Sequence, residues 1–292
     1  MPETTPRSET QTVSCAQPGS RLTVCRTTLF PDLINYSIDD SATLASVSHN
    51  DLPLHSLTLS EDEVHVWHAA LDDRLADRLK LILSEDEISR ANRFHFAKDR
   101  NHYIVARGLL RRLLAAYLGV SSAELQFLYA DKGKPYLKET HRGSINFNLA
   151  HSGDMAIYAF SRGRELGVDL ELMREDLAGE KIAERFFSRR EISSLRSLPV
   201  ELRKQAFFNC WTRKEAYIKA RGEGLSMPLD EFDVSLAPRE PAALLKNYKD
   251  SGEVSRWTMQ SISVAPGYVA ALVVEGQDWR LKKFGFEPVT DG

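Results

Sequence analysis

Leu166-Gly167-Val168-Asp169-Leu170-Glu171-Leu172 and, further on, Trp211-Thr212-Arg213-Lys214-Glu215-Ala216 are the stretches on which the reading of this chain turns. The first reads as a β-strand. Residues i and i+2 of a strand point to the same face, so the carboxylates of Asp169 and Glu171 share a side. The plain alternative is a pair of exposed acids. Acidic residues are depleted from strands, however, and two on one face repel unless a cation bridges them. The second stretch belongs to a helix and adds Glu215 as a third carboxylate. Three carboxylates converging on one point suit a hard, oxygen-loving cation. Mg²⁺ keeps several waters and binds through a few carboxylates together with substrate phosphates. The pattern points to chemistry on a phosphate ester or anhydride.

Working outward, the chain mixes helices and strands. Val64-His65-Val66-Trp67 alternates like a short strand. Ser84 before Glu85-Asp86-Glu87 reads as an N-cap with an acidic first turn. From Arg100 to Leu118 the apolar residues Tyr103, Val105, Leu109, Leu110, Leu113, Leu114 and Tyr117 recur at helical spacing, and Gly119 ends the helix. Leu125–Tyr129, Ile145–Leu149 and Met155–Phe160 read as strands, the last nearly all apolar and so buried. Beyond the strand at Gly167–Leu172 come helices at Ile182–Phe187, Ser188–Leu198 and Val200–Ala220. Strands follow at Phe232–Leu236, Trp257–Ile262 and Tyr268–Val274. Each half thus carries helices and an antiparallel-type sheet. Residues 1–60 are dense in Ser, Thr, Pro and Asp with poor periodicity, and read as a disordered or loosely attached extension, with a small additional structured element as the alternative.

Composition excludes several classes. The 292 residues suffice for one large domain or two modest ones. Hydrophobic content is 42% and charged content 27%, ordinary for a globular protein. A net charge of −3 supplies no global field toward nucleic acid or an anionic membrane, so a phosphate site must be a local basic pocket. Cys15, Cys25 and Cys210 form neither a disulfide framework nor a zinc spacing, which fits a reducing cytoplasm. No apolar stretch is long enough to span a membrane, and residues 1–20 lack the apolar core of a secretory signal.

Several motifs, in order, carry a resemblance. They are Arg93-Phe94-His95-Phe96-Ala97-Lys98-Asp99-Arg100, Gly133-Lys134-Pro135, Phe147-Asn148-Leu149-Ala150-His151-Ser152 and Gly167-Val168-Asp169-Leu170-Glu171. Arg185-Phe186-Phe187-Ser188 with Glu191, Trp211 to Ala216 with Lys219, and Gly222-Glu223-Gly224-Leu225-Ser226 complete the set. Each is weak alone; together, over Val64 to Leu272, the chain resembles the 4′-phosphopantetheinyl transferases of the larger, monomeric Sfp-like group. One departure is Ala150, where the family often has serine before the histidine.

The resemblance implies an α+β fold of two similar α/β subdomains with pseudo-twofold symmetry. Residues 61–163 would form the first and 164–292 the second, with the active site in the cleft between them. It implies Mg²⁺ held by Asp169, Glu171 and Glu215, with coenzyme A and an apo acyl or peptidyl carrier protein as substrates and 3′,5′-ADP as a product. Glu215 would be ligand and possible base, and Lys219 would sit near the transferring phosphate. His151 and Ser152 would contact a coenzyme A phosphate. Lys134, in a basic turn, reads as a phosphate clamp or as a solvated surface residue; Lys98, Arg100 and Arg107 would add to the same pocket, while Arg111 and Arg112 read as solvated surface. Lys214 would face solvent or the rim. Phe207, Phe208, Trp211 and Tyr217 read as packing, and part of residues 185–210 would receive the carrier. Fatty-acid, polyketide and nonribosomal-peptide carriers all fit. The carboxylates alone also permit an Mg²⁺ phosphohydrolase, and the fold alone a carrier-binding module.

Overall fold

The computed structural model describes residues 45–47, 57–138, 145–174 and 179–286, with backbone only for 45–47 and 225. The first half runs β1 (Ala45–Val47), β2 (Glu63–Ala70), α1 (Ala76–Lys80), α2 (Glu85–Ala91), α3 (Ala97–Leu118), β3 (Phe127–Tyr129), β4 (Pro135–Leu137), β5 (Asn146–Ser152) and β6 (Met155–Ser161). The second runs β7 (Leu166–Leu172), α4 (Gly179–Phe186), α5 (Arg189–Ser197), α6 (Val200–Arg221), β8 (Phe232–Val234), β9 (Leu244–Asn247), α7 (Glu253–Arg256), β10 (Trp257–Ile262) and β11 (Tyr268–Glu275). A final strand, β12 (Arg280–Phe286), follows.

Helices α3 and α6 both stop at a glycine in the left-handed region, Gly119 at φ 70° and Gly222 at φ 70°, where a side chain would be strained. Helices α2 and α5 both start on a Ser-x-x-Glu box. Glu87 accepts the Ser84 amide at 3.1 Å, and Glu191 accepts the Ser188 amide at 2.9 Å.

Two sheets stack face to face. One has the order β1-β12-β2-β6-β5, the other β10-β11-β7. The order β2-β6-β5 recurs as β7-β11-β10, antiparallel throughout, which is the repeat expected of a pseudo-twofold α+β fold. Strand alternation then sorts the apolar residues into layers. Trp67, Tyr158 and Phe160 pack with Leu109, Leu110 and Leu113 of α3. Val64, Val66, Ile157 and Ala159 meet Val168, Leu170, Leu272 and Val274 between the sheets. Ala271 and Val273 pack with Ala216 and Ala220 of α6. The layers are helix, sheet, sheet, helix. Fully burying one side chain of Leu or Phe size contributes about 1.5–3 kcal/mol.

Two boundaries differ from the sequence reading. β12 lies within residues 164–292, yet it pairs parallel with β2 in the first half's sheet. Its alternation in Arg280-Leu281-Lys282-Lys283-Phe284 is masked by charged residues, because only Phe284 and Phe286 reach the aromatic cluster around Trp67. Within residues 1–60, β1 pairs with β12, and Leu59 is buried in the α3 core. The remainder of residues 1–56 lies outside the described residues. No helix among the described residues is long and apolar enough to cross a membrane.

Candidate active site

The site begins with the contact between β7 and α6. A Cβ on Gly167 would lie 2.2 Å from the Ala216 carbonyl oxygen and 2.3 Å from the Ala220 amide nitrogen. Only glycine lets the helix settle so closely on the strand. Asp169 and Glu171 follow on the same face of β7. Lys219 of α6 donates to Asp169 Oδ1 at 2.6 Å and to the Val168 carbonyl at 3.3 Å.

This closeness governs the electrostatics. Asp169 is 5% exposed. Burial pushes its pKa up to about 6, against the opposing pull of Lys219. Glu215 is raised to about 7, first by burial and then by the Asp169 carboxylate, with Lys219 opposing and Glu171 adding. Glu171 Oε2 accepts the Ser152 hydroxyl at 2.8 Å. Asp169 Oδ2 is buried with no hydrogen-bond partner. Among the described residues, no three His, Cys, Asp or Glu groups are already drawn together as a metal cage. The donor set nonetheless fits a hard cation: the Asp169 and Glu171 carboxylates are near enough to raise the pKa of Glu215, and one buried oxygen of Asp169 has no partner.

Beside these groups opens a cavity of about 470 Å³, within the usual range for a small-molecule site. Lys132, Gly133, Lys134 and Pro135 wall it from the β3–β4 turn, Asn148 and Leu149 from β5, and Glu215, Ile218 and Lys219 from α6. The turn is closed by the Gly133 amide donating to Ala130 at 2.7 Å, with Gly133 at φ +83°. Both halves of the fold therefore line one cavity.

The residues singled out from sequence divide into two groups. Lys134, Glu215 and Lys219 line the cavity. His151 sits at the exposed end of β5; its pKa is lowered by the surrounding protein and then by the nearby Lys219 and His102 charges. Lys98 is at the surface, paired with Asp154 at 2.7 Å just past that end. Four others are placed differently. Arg107 is buried and donates to Glu87 at 2.8 Å, and Arg111, expected at the surface, donates to the same carboxylate at 2.6 Å. Lys214, expected at the rim, is fully buried and bridges Glu191, the Leu229 carbonyl and the Phe232 carbonyl. Ser152 points away from His151, as neighbours in a strand must, and bonds β7. Asn148 was not singled out. Its Oδ1 accepts the Val168 amide at 3.0 Å, and the signal was there: a buried amide side chain between Phe147 and Leu149 in the middle of β5.

Residues 165–273 match the 4′-phosphopantetheinyl transferase superfamily, and residues 67–162 match the N-terminal region of 4′-phosphopantetheinyl transferases. The 4′-phosphopantetheinyl transferase HetI of a Nostoc species is 41% identical over 231 residues, 78% of this chain and 94% of that protein. A putative 4′-phosphopantetheinyl transferase of a Synechocystis species is 36% identical over 67% of this chain and 78% of its own length. Among solved structures, the holo-[acyl-carrier-protein] synthase of Thermotoga maritima is 21% identical, with a TM-score of 0.29 over 39% of this chain and 63% of that chain. The chain belongs to the 4′-phosphopantetheinyl transferase family.

Proposed function

We propose that this protein transfers the 4′-phosphopantetheine arm of coenzyme A to a serine of an apo acyl or peptidyl carrier protein, releasing 3′,5′-ADP. The observation that carries the reading is the cluster of Asp169, Glu171, Glu215 and Lys219 beside a cavity with two lysines on its far wall.

The reaction breaks the β-phosphorus to oxygen bond of the pyrophosphate and forms a phosphodiester with the serine oxygen. Asp169, Glu171 and Glu215 would hold Mg²⁺, which when bound would neutralise the pyrophosphate and stabilise the leaving phosphate. Glu215, on the cavity wall, would take the serine proton, directly or through a water. Lys219 balances charge that develops on the phosphate oxygens. Lys134 and His151 hold the remote phosphates. Neither Ser-His-Asp nor Cys-His chemistry is required, because the carrier serine is the nucleophile. One chain supplies both walls of the cavity, which supports a monomer as the working unit.

The test is incubation of the purified protein with coenzyme A, Mg²⁺ and a panel of apo carrier proteins. A carrier that gains the mass of one phosphopantetheine supports the reading. Cleavage of coenzyme A with every carrier unmodified would replace it with a hydrolase.

A further inference from the structure

β7 is the edge strand of its sheet, and an edge strand presents a row of backbone amides and carbonyls that need partners. Here the partners are side chains of the other half. Asn148 Oδ1 accepts the Val168 amide at 3.0 Å, and Ser152 Oγ accepts the Leu172 amide at 3.1 Å. The two acceptors on β5 stand four positions apart, as do the two amides on β7, so the strands run in step without a backbone ladder between them.

Ser152 does more than occupy an amide. A hydroxyl has one proton to donate, and its lone pairs lie elsewhere. With the Leu172 amide on a lone pair, the Ser152 proton is aimed at Glu171 Oε2, 2.8 Å away. The hairpin that carries Ser152 is itself pinned. The Asp154 amide donates to the Tyr268 hydroxyl at 3.1 Å, and Tyr268 pairs with Leu172 in the sheet. A Cβ on Gly153 would lie 2.7 Å from that same hydroxyl, so the tip sits tightly against β11.

We infer that Ser152 is a positioning residue for Glu171: it fixes the carboxylate's orientation toward a divalent cation and does not itself touch coenzyme A. This rests on the reading of Glu171 as a metal ligand. Ligating carboxylates are commonly held by hydrogen bonds of this kind, and such partners act on metal affinity while leaving remote substrate contacts alone.

The experiment measures binding without turnover. Mn²⁺ is titrated into protein and saturating coenzyme A, in the absence of carrier, and free Mn²⁺ is read by its electron paramagnetic resonance signal. Coenzyme A affinity in EDTA is measured separately, and every variant is melted. Ser152→Ala weakens Mn²⁺ binding about tenfold, with coenzyme A affinity in EDTA unchanged, and Ser152→Thr, which restores a hydroxyl, recovers most of the loss. Ser152→Cys keeps the volume with a weak donor and follows Ser152→Ala, so it carries the test if the alanine variant does not fold. Weakened coenzyme A binding in EDTA with normal Mn²⁺ affinity would overturn the proposal and return Ser152 to a phosphate contact. Unchanged values for both would overturn it as well. Glu171→Gln is the control for the underlying reading: if that variant binds Mn²⁺ normally, Glu171 is not a ligand, and the fault lies there and not with Ser152.

Discussion

β2 and β7 are the same strand of a repeated frame, and they end differently. Each pairs antiparallel with the middle strand of its three-strand unit, β6 or β11. The other edge of β2 is covered by β12, so its backbone is sealed on both sides. The matching edge of β7 has no strand partner among the described residues. It is met by Asn148, Ser152, Lys134 and Lys219 side chains instead. The helix-facing residues diverge in the same way. In β2 these are His65 and Trp67, which close on the Tyr117 hydroxyl at 2.7 and 2.9 Å. In β7 they are Gly167, Asp169 and Glu171.

The long helices repeat the lesson. Arg111 of α3 and Lys214 of α6 stand at the same distance before their terminal glycines, and each grips the buried glutamate of a capping box, Glu87 or Glu191. This ionic strut is shared. One residue further along, α3 has Arg112 where α6 has Glu215; four further still, Ala116 matches Lys219. The frame is built twice, and the proposed chemistry draws on one copy, which differs by a few residues and one strand edge left uncovered among the described residues.

The sharpest way to break this comparison is Asp169→Ala. Losing a carboxylate that offsets pyrophosphate charge should lower kcat by at least about 10²-fold, the scale seen when one electrostatic stabiliser is removed. Asp169 carries a buried oxygen with no partner and a raised pKa, so removing it should cost little stability. Turnover across a range of Mg²⁺, with a thermal melt alongside, decides. Near-normal turnover would leave β7 as only a wall.

Glu87→Gln tests the other copy. Glu87 is fully buried and takes both Arg107 and Arg111. Removing its charge strands two guanidinium groups in the core, which should cost about 3 kcal/mol of stability. Saturated kcat at a temperature where the variant stays folded should match the parent. Denaturant unfolding and steady-state kinetics give the two numbers. A large loss of kcat with unchanged stability would put Arg107 back in the coenzyme A pocket.

What the sequence revealed was whatever local pattern records. Strand alternation placed Asp169 and Glu171 on one face, and helical spacing with Gly222 placed Glu215 and Lys219 on α6. Family motifs supplied the meaning. What stayed hidden depends on partners far away in the chain. Arg107 and Arg111 look like any charged helical residues until Glu87, some twenty residues earlier, is seen beneath them. Lys214 looks solvent-facing until Glu191 and the carbonyls of Leu229 and Phe232 close around it. β12 escaped because its lysines and arginine disguise a strand whose job is to cover an edge. Lys282 and Arg280 of that strand pair with Glu63 of β2, a partner more than two hundred residues earlier in the chain.

That covering strand yields the smallest effect and the finest test. Glu63 of β2 is buried and takes Lys282 of β12 at 2.7 Å, Arg280 of β12 at 3.3 Å and His65 Nε2 at 3.1 Å. The bond from Lys282, working against burial and aided by His65, lowers the Glu63 pKa to about 2. A depressed carboxylate pKa stabilises the fold fully above its ordinary value of 4.5 and loses that contribution as the pH falls through about 2. The Lys282 and Arg280 heads are half or more in water, so the contribution is about 1 kcal/mol, or a few degrees in Tm for a chain of this size. Glu63→Gln should therefore melt a few degrees lower at pH 7, and the gap should close as the pH drops below 4.5. Burial lowers the His65 pKa and Glu63 opposes that shift, so His65 adds more acid lability to the variant than to the parent, and the informative quantity is the closing of the gap below pH 4.5, where Glu63 itself takes up a proton. kcat at pH 7 should not change, because β2 carries the frame and β7 the chemistry. A gap that persists at pH 2 would mean that Glu63 acts through packing and not through its charge. A loss of kcat would mean that sealing the edge of β2 sets the geometry of β7, and that the two copies are less separable than their edges imply.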